Sequence, residues 1–375
     1  MSFFGRLFAP RPRRTSAPAV LARPARMSSP SIRHDPGAGT KKINLALQGG
    51  GSHGAFTWGV LDYLLEDGRL AISGLSGASA GAVNAIMLAD GLARGGPDEA
   101  RRRLAEFWRA TSLAGEFSGL KRTARIFSGS AATPMRAWLD GFARNLSPYD
   151  LNPFNINPLK ELIERYVDFD AVQASGMPLF VSATNVRTGR ARIFSAGEMS
   201  ADVIAASAAL PSVFRAVEID GISYWDGGYT SNPPILPFLQ KGESSDVLLV
   251  QIKPVYRPNI PRSQQEITAR ISEINFNAAL YAELRAVALL DEGMSTATEP
   301  GAGRHIRMHR IDLPPDQRLT ASSALDTDYK LFEMLQAAGR GAAQRFLDAH
   351  FDDIGTRATL DIGAEAKKAL QPEAA

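Results

Sequence analysis

The chain contains no cysteine in 375 residues. That absence excludes disulfides, thiolate metal ligands and a cysteine nucleophile, and it leaves the compartment open. Runs of eighteen or more apolar residues are also missing, because Gly, Ser or a charge interrupts every long apolar stretch. No segment therefore reads as a membrane-spanning helix, and any membrane contact is expected to be peripheral, on a protein that is otherwise cytoplasmic. Acidic residues are nearly absent from positions 1–42, where Asp35 stands against nine Lys or Arg. The remaining chain carries 33 basic and 38 acidic side chains, so the folded body is mildly acidic. A nucleic-acid-binding surface is not expected on such a body.

The basic segment 1–42 is rich in Pro, Ser, Ala and Arg and reads as a disordered tail, since it cannot bury enough apolar surface to offset its ordering entropy. Arg13-Arg14 matches a twin-arginine pair, but Pro18, Arg23, Pro24 and Arg26 break up the adjoining stretch and leave no apolar core for a signal peptide. The Arg- and Ser-rich start also fits a transit peptide. Phe3, Phe4, Leu7 and Phe8 offer apolar contact to an anionic membrane, although a solvated tail is the plainest reading.

After Lys42, short apolar runs alternate with amphipathic ones. Strands are expected at 43–48, up to about Ser76, and at 178–186, 191–196, 246–254 and 304–312. Helices are expected at 54–68, 80–93, 98–111, 158–167, 200–208, 263–290 and 328–350. Such alternation implies an α/β fold with a largely parallel sheet covered by helices on both faces. The Gly-, Ser-, Pro- and Asn-rich stretch 111–157 is expected to be an insertion or lid, with Phe117, Phe127, Trp138 and Phe142 either bounding an acyl pocket or packing beneath it. A domain over 43–350 and then a C-terminal tail, 351–375, complete the expected organisation.

Three glycine-framed stretches carry the chemistry. In "LALQGGGSHGAF", Gly49, Gly51 and Gly54 fit G-x-G-x-x-G between a strand and a helix, the context of a dinucleotide loop. No Lys-Ser/Thr pair closes it as a phosphate-binding P-loop. Whatever its ligand, it offers unblocked backbone N–H groups at the positive end of a helix. In "GASAG", Gly77, Ser79 and Gly81 fit G-x-S-x-G at a second strand-to-helix junction, where a sharp turn exposes a hydroxyl. That stretch weakens the dinucleotide reading, because a ribose-binding acid is expected there instead. In "YWDGGYTSNPP", Asp226 precedes Gly227 and Gly228. A serine nucleophile needs a base. The order Ser79, Asp226 and one of His305, His309 or His350 would satisfy an α/β-hydrolase triad, but none of these histidines occupies a recognisable loop, and structural or solvated roles suit them better. A lipid-binding protein without catalysis is the third reading.

Taken together, GGGSHG, GASAG and DGG in this order resemble the patatin-like phospholipase family, with "ASAALPSVF" (206–214) and Asn232-Pro233 adding to the likeness. The resemblance implies a three-layer α/β fold and a lipid acyl hydrolase with a Ser-Asp dyad and no histidine base. By that likeness Ser79 attacks the ester, Asp226 is the base, and the backbone of Gly49, Gly50 and Gly51 forms the oxyanion hole. Gly54, Gly77, Gly81, Gly227 and Gly228 support these motifs. The substrate is a lipid ester, and no metal or organic cofactor is implied. One departure is His53, which stands where the family usually carries Arg or Lys. An exposed aspartate ionises near pH 3.9 and is a poor base. Asp226 is therefore expected to be desolvated or tightly hydrogen-bonded to Ser79.

Overall fold

The computed structural model describes residues 39–117, 147–296 except 153, 242 and 258, then 305–314, 319 and 322–368. The tail expected over 1–42 falls almost wholly outside the described residues, as do Phe127, Trp138, Phe142 and the side chain of Phe117.

Five strands form a parallel sheet in the order β3-β2-β1-β7-β8: β1 (Lys41–Leu47), β2 (Leu70–Gly77), β3 (Leu179–Asn185), β7 (Asp246–Gln251) and β8 (Arg307–Asp312). The near-continuous burial of "INLAL" and "DVLLVQ" is what a parallel strand covered on both faces requires. Side chains alternate between two cores. Ile43, Leu45, Leu47, Leu248 and Val250 enter one, and Ala46, Val247 and Leu249 enter the other. On the first face lie α1 (Gly54–Asp67), α2 (Ala80–Phe117), α3 (Pro158–Tyr166), α4 (Phe169–Ser175), α5 (Ala201–Ser207) and α7 (Tyr329–His350). The second face is covered by α6 (Gln264–Thr296) through Leu280, Leu284 and Val287, and by α8 (Ile362–Lys368), which packs on α6. The result is the expected three-layer α/β architecture. The two helices anticipated at 80–93 and 98–111 are the arms of α2, which breaks at Gly96 (φ 75°) with Pro97 beside it.

Three strands make the sheet mixed. β4 (Ala191–Ser195) pairs antiparallel with β3, and so does β6 (Ile222–Asp226), which in turn carries β5 (Val217–Ile219). Because β4 spans Phe180–Thr184 of β3, β2 and β6 must share the opposite edge. Along that edge Gly77 lies opposite Val181 and Asp226 lies opposite Ala183. The two strands run toward each other and stop two residues apart, roughly 7 Å at a strand's rise per residue.

Residues 351–365, expected as part of a tail, belong to the packed body. Ile354 and Leu360 are buried, and the N–H groups of Thr359 and Leu360 donate to Met308 O at 3.0 and 2.9 Å. Phe351 and Ile362 pack partly buried against the same cores, and the scatter of these four anchors through a polar stretch hid the docking. Among the described residues no helix is long and apolar enough to cross a membrane.

Candidate active site

Ser79 sits at the tip of the turn between β2 and α2, held at φ 53°. A non-glycine residue there stores roughly 1–3 kcal/mol of backbone strain, which persists only if its surroundings enforce it. They do so through glycine. A Cβ on Gly77 would meet the backbone of Gly81 at 2.5 Å, and one on Gly81 would meet Leu47 O at 2.0 Å. Bare backbone is therefore needed on both sides of the turn. The Ser79 N–H donates to Ser207 Oγ on α5 at 3.0 Å, which fixes the turn from the third side.

Asp226 ends β6 and is fully buried. Its Oδ1 accepts from the Gly228 N–H at 2.7 Å, and its own carbonyl accepts from Thr184 Oγ1 at 2.7 Å, so β3 holds it directly. The turn after it is secured by Ser182 Oγ donating to Ser231 O and by Ser231 Oγ donating to Glu283 of α6, both at 2.7 Å. Burial pushes the Asp226 carboxyl up to about 7, against the opposing pull of the Ser79 hydroxyl, the Gly228 N–H and the Lys253 ammonium. Oδ2 has no partner that meets hydrogen-bond geometry, although Ser79 is near enough to lower the carboxyl's pKa. The resting Ser79–Asp226 contact is thus long or misaligned, as such contacts often are before substrate arrives. The sequence-based expectation of a desolvated Asp226 agrees with this burial.

The glycine loop departs from expectation at one atom. The Gly49 N–H, expected to line an oxyanion hole, donates to Asn232 Oδ1 at 2.7 Å and is committed. Gly49 serves instead as a close-packed floor, since a Cβ there would lie 2.7 Å from Ser79 Cβ. Gly50 and Gly51 line the cavity with Ser79, and neither N–H has an acceptor among the described residues. Asn232 was visible in the sequence only as half of Asn232-Pro233. Its grip on Gly49 is a contact across the fold that no local pattern encodes.

These groups open into a cavity of about 350 Å³ with mainly apolar walls, including Leu210, Ile252, Phe276, Leu313 and Leu325. His53 also reaches it. Its Nε2 lies 2.8 Å from Ser323 Oγ, and burial, aided by Lys253 and Arg257, lowers its pKa to about 3. A ring so depressed is neutral and too weakly basic to take a proton from serine near neutrality. His305, His309 and His350 are not among the cavity-lining residues. His309 is buried between Asp246 Oδ1 and Thr359 Oγ1, each at 3.0 Å, and His350 bonds Asp353 Oδ2 at 2.9 Å. The expected structural roles of His309 and His350 agree with these contacts, which commit both rings away from Ser79 and Asp226.

Sequence reasoning missed Gln48 and Lys253. Gln48 Oε1 accepts from the N–H groups of Ile252 and Lys253, both at 2.8 Å, and binds the loop after β1 to the loop after β7. The Lys253 side chain lines the cavity while 8% exposed. Its signal was a lone charge closing the apolar run "DVLLVQIKP" at the carboxyl end of a parallel strand, the end where α/β sheets bind ligands. Among the described residues no cluster of His, Asp and Glu is arranged to hold a metal ion.

The profile of the family described as "Patatin-like phospholipase" matches residues 45–239. No curated protein matches the chain. Among solved structures, VipD from Legionella pneumophila is 15% identical over 83% of this chain and 67% of its own, with a TM-score of 0.42. ExoU in its heterodimeric complex with SpcU, from the type III secretion system of Pseudomonas aeruginosa, is 18% identical over 88% of this chain and 75% of that one, at a TM-score of 0.29.

Proposed function

Since the chain belongs to the patatin-like phospholipase family and is thereby a lipid hydrolase, we propose that Ser79 and Asp226 are the dyad by which it cleaves the carboxylic esters of phospholipids or related lipids. The observation that carries this reading is the meeting of β2 and β6 on one edge of β3, which brings a strained serine and a buried, half-bonded carboxylate together beside the cavity.

In the acylation half, ionised Asp226 takes the hydroxyl proton as Ser79 Oγ attacks the ester carbonyl. The tetrahedral oxyanion forms beside the uncommitted N–H groups of Gly50 and Gly51, placed to donate where charge develops. Collapse expels the alcohol, protonated by Asp226, and leaves an acyl group on Ser79. Water, deprotonated by Asp226, then releases the acid and regenerates both side chains. The apolar walls suit an acyl chain, and the largely water-excluded base gains strength from its desolvation.

The test is labelling by a fluorophosphonate probe, with mass spectrometry of acids released from a lipid panel. Modification at Ser79 and loss of both signals in Ser79→Ala are expected. Labelling at another serine would defeat the assignment. The basic segment 1–42 is proposed as a peripheral arm for anionic membranes, each well-placed Lys or Arg contributing about 1 kcal/mol at low salt. Its removal should reduce co-sedimentation with anionic vesicles and spare hydrolysis of a soluble ester.

A further inference from the structure

A buried ammonium needs a partner, since an unpaired charge in a protein interior carries a large desolvation cost. Lys253 is such a group. Only 8% of the residue is exposed, and Nζ makes no ion pair or hydrogen bond with any described residue. The nearby carboxylate on α6, Glu273, is already held by Arg257 at 2.7 Å and Arg270 at 3.2 Å. Asp226 interacts with Lys253 through space without forming a bridge. Among the described residues the close partner of the ammonium is the face of Phe276, 5.7 Å away.

Its position is set by the backbone. Gln48, the residue before the glycine loop, accepts from Lys253 N–H and clamps it beside that loop. The side chain then runs along Gly50, with Cε 3.2 Å from the point a Cβ on Gly50 would occupy. A Cβ on Gly50 would press on Ile252 Cδ1 at 2.6 Å as well as on Lys253 Cε, so bare backbone at Gly50 lets both side chains lie close against the loop, and Lys253 lines the same cavity as Gly50 and Gly51. His53, on the same cavity, is neutral.

Resting on the dyad reading above, we propose that Lys253 is a further catalytic residue, whose ammonium supplies the fixed positive charge that stabilises the oxyanion formed beside Gly50 and Gly51. The anion of the transition state is the partner that the resting protein withholds from it. A preorganised charge in a water-poor cavity does its work without reorganising at the moment of reaction. Burial lowers the pKa of Lys253, and Arg257 adds to that shift, while Glu273 and Asp226 oppose it.

The experiment compares full-length wild type with Lys253→Met and Lys253→Arg on a neutral soluble ester, p-nitrophenyl butyrate, and on phosphatidylcholine vesicles. Loss of one oxyanion-stabilising group lowers kcat by roughly 10²–10³-fold in known cases, and a fall of at least about tenfold is expected for Lys253→Met on both substrates with little change in KM. Lys253→Arg, which keeps the charge but cannot act as a base near neutrality, should recover most of that loss. Thermal melts separate these effects from misfolding: the Met variant, relieved of an unpaired buried charge, should melt no lower than wild type. Its acid limb of kcat/KM should also move to higher pH, because Asp226 loses a cation that favours its ionised form.

Wild-type kcat in Lys253→Met would overturn the proposal. So would a defect confined to KM for phosphatidylcholine, which would make the lysine a headgroup contact. A folded Lys253→Arg as inactive as the Met variant would overturn it too, because charge alone would then be insufficient. None of these outcomes touches the dyad reading, which stands or falls with Ser79→Ala.

Discussion

Replacing Asp226 with Asn should change stability in a way that depends on pH, and the dependence can be worked out. The folded carboxyl titrates at about 7 because it is buried, against 3.8 for the ordinary group. Between those values the folded protein holds a proton that the unfolded chain has released. A raised acid pKa makes the folded state progressively less favoured as pH climbs from about 4 to 7, by about 1.4 kcal/mol per pH unit and about 4 kcal/mol in all. Asparagine does not titrate. The unfolding free energy of Asp226→Asn minus that of wild type should therefore grow by about 4 kcal/mol over that interval and level off above it. The variant retains an acceptor for Gly228 but places an amide donor where Oδ2 lacks a partner, an offset of about 1–3 kcal/mol that does not vary with pH. The slope, not the absolute gap, carries the test. Urea melts of both proteins at pH 4.5, 6, 7.5 and 9 measure it, and other titrating groups cancel in the difference. A gap that stays constant with pH would refute the buried, raised carboxyl. So would a wild-type kcat/KM that fails to fall as pH drops through about 7.

Other substitutions have equally definite outcomes. Ser79→Ala should abolish ester hydrolysis while melting near the wild-type temperature, and Ser79→Gly, which accepts φ 53° without strain, should melt higher by roughly 1 kcal/mol in stability. Gly49→Ala puts a methyl 2.7 Å from Ser79 Cβ and should lower kcat on the order of 100-fold, since a displacement near 1 Å costs that much. His309→Gln should keep kcat within about threefold, under 1 kcal/mol in barrier. It should nonetheless reduce stability by about 1–3 kcal/mol, read in urea, because buried Asp246 loses a hydrogen-bond partner. Burial alone would raise the Asp246 carboxyl, but His309, Arg307 and the Gly355 N–H outweigh it and hold it well below the carboxylate range. Its contribution should thus persist from neutral pH down through pH 4 and disappear only in stronger acid.

Much of this arrangement could be read from the residues because its causes are local. The uninterrupted apolar character of "INLAL" and "DVLLVQ" marks parallel strands, and glycines beside Ser79 and Asp226 mark backbone crowding. What escaped depends on contacts distant in sequence. β6 is a five-residue strand whose burial alternates, and its antiparallel partner lies some forty residues earlier. The loss of the Gly49 N–H required Asn232, and the approach of Lys253 to Gly50 required β1 and β7 to be neighbours. The docking of 351–365 hung on Phe351, Ile354, Leu360 and Ile362, apolar anchors scattered through a polar stretch.

β3 acts as a ruler for the proposed dyad. Ser79 and Asp226 come from segments far apart in the chain, yet the ends of β2 and β6 beside them are measured off Val181 and Ala183 of that one strand. The turn 186–190, which follows β3, can change in length while the registers at Val181 and Ala183 hold the proposed pair at its spacing. Deleting Ser182, which lies between the two marks, should shorten the ruler by about 3.3 Å and turn every later side chain of β3 to the opposite face.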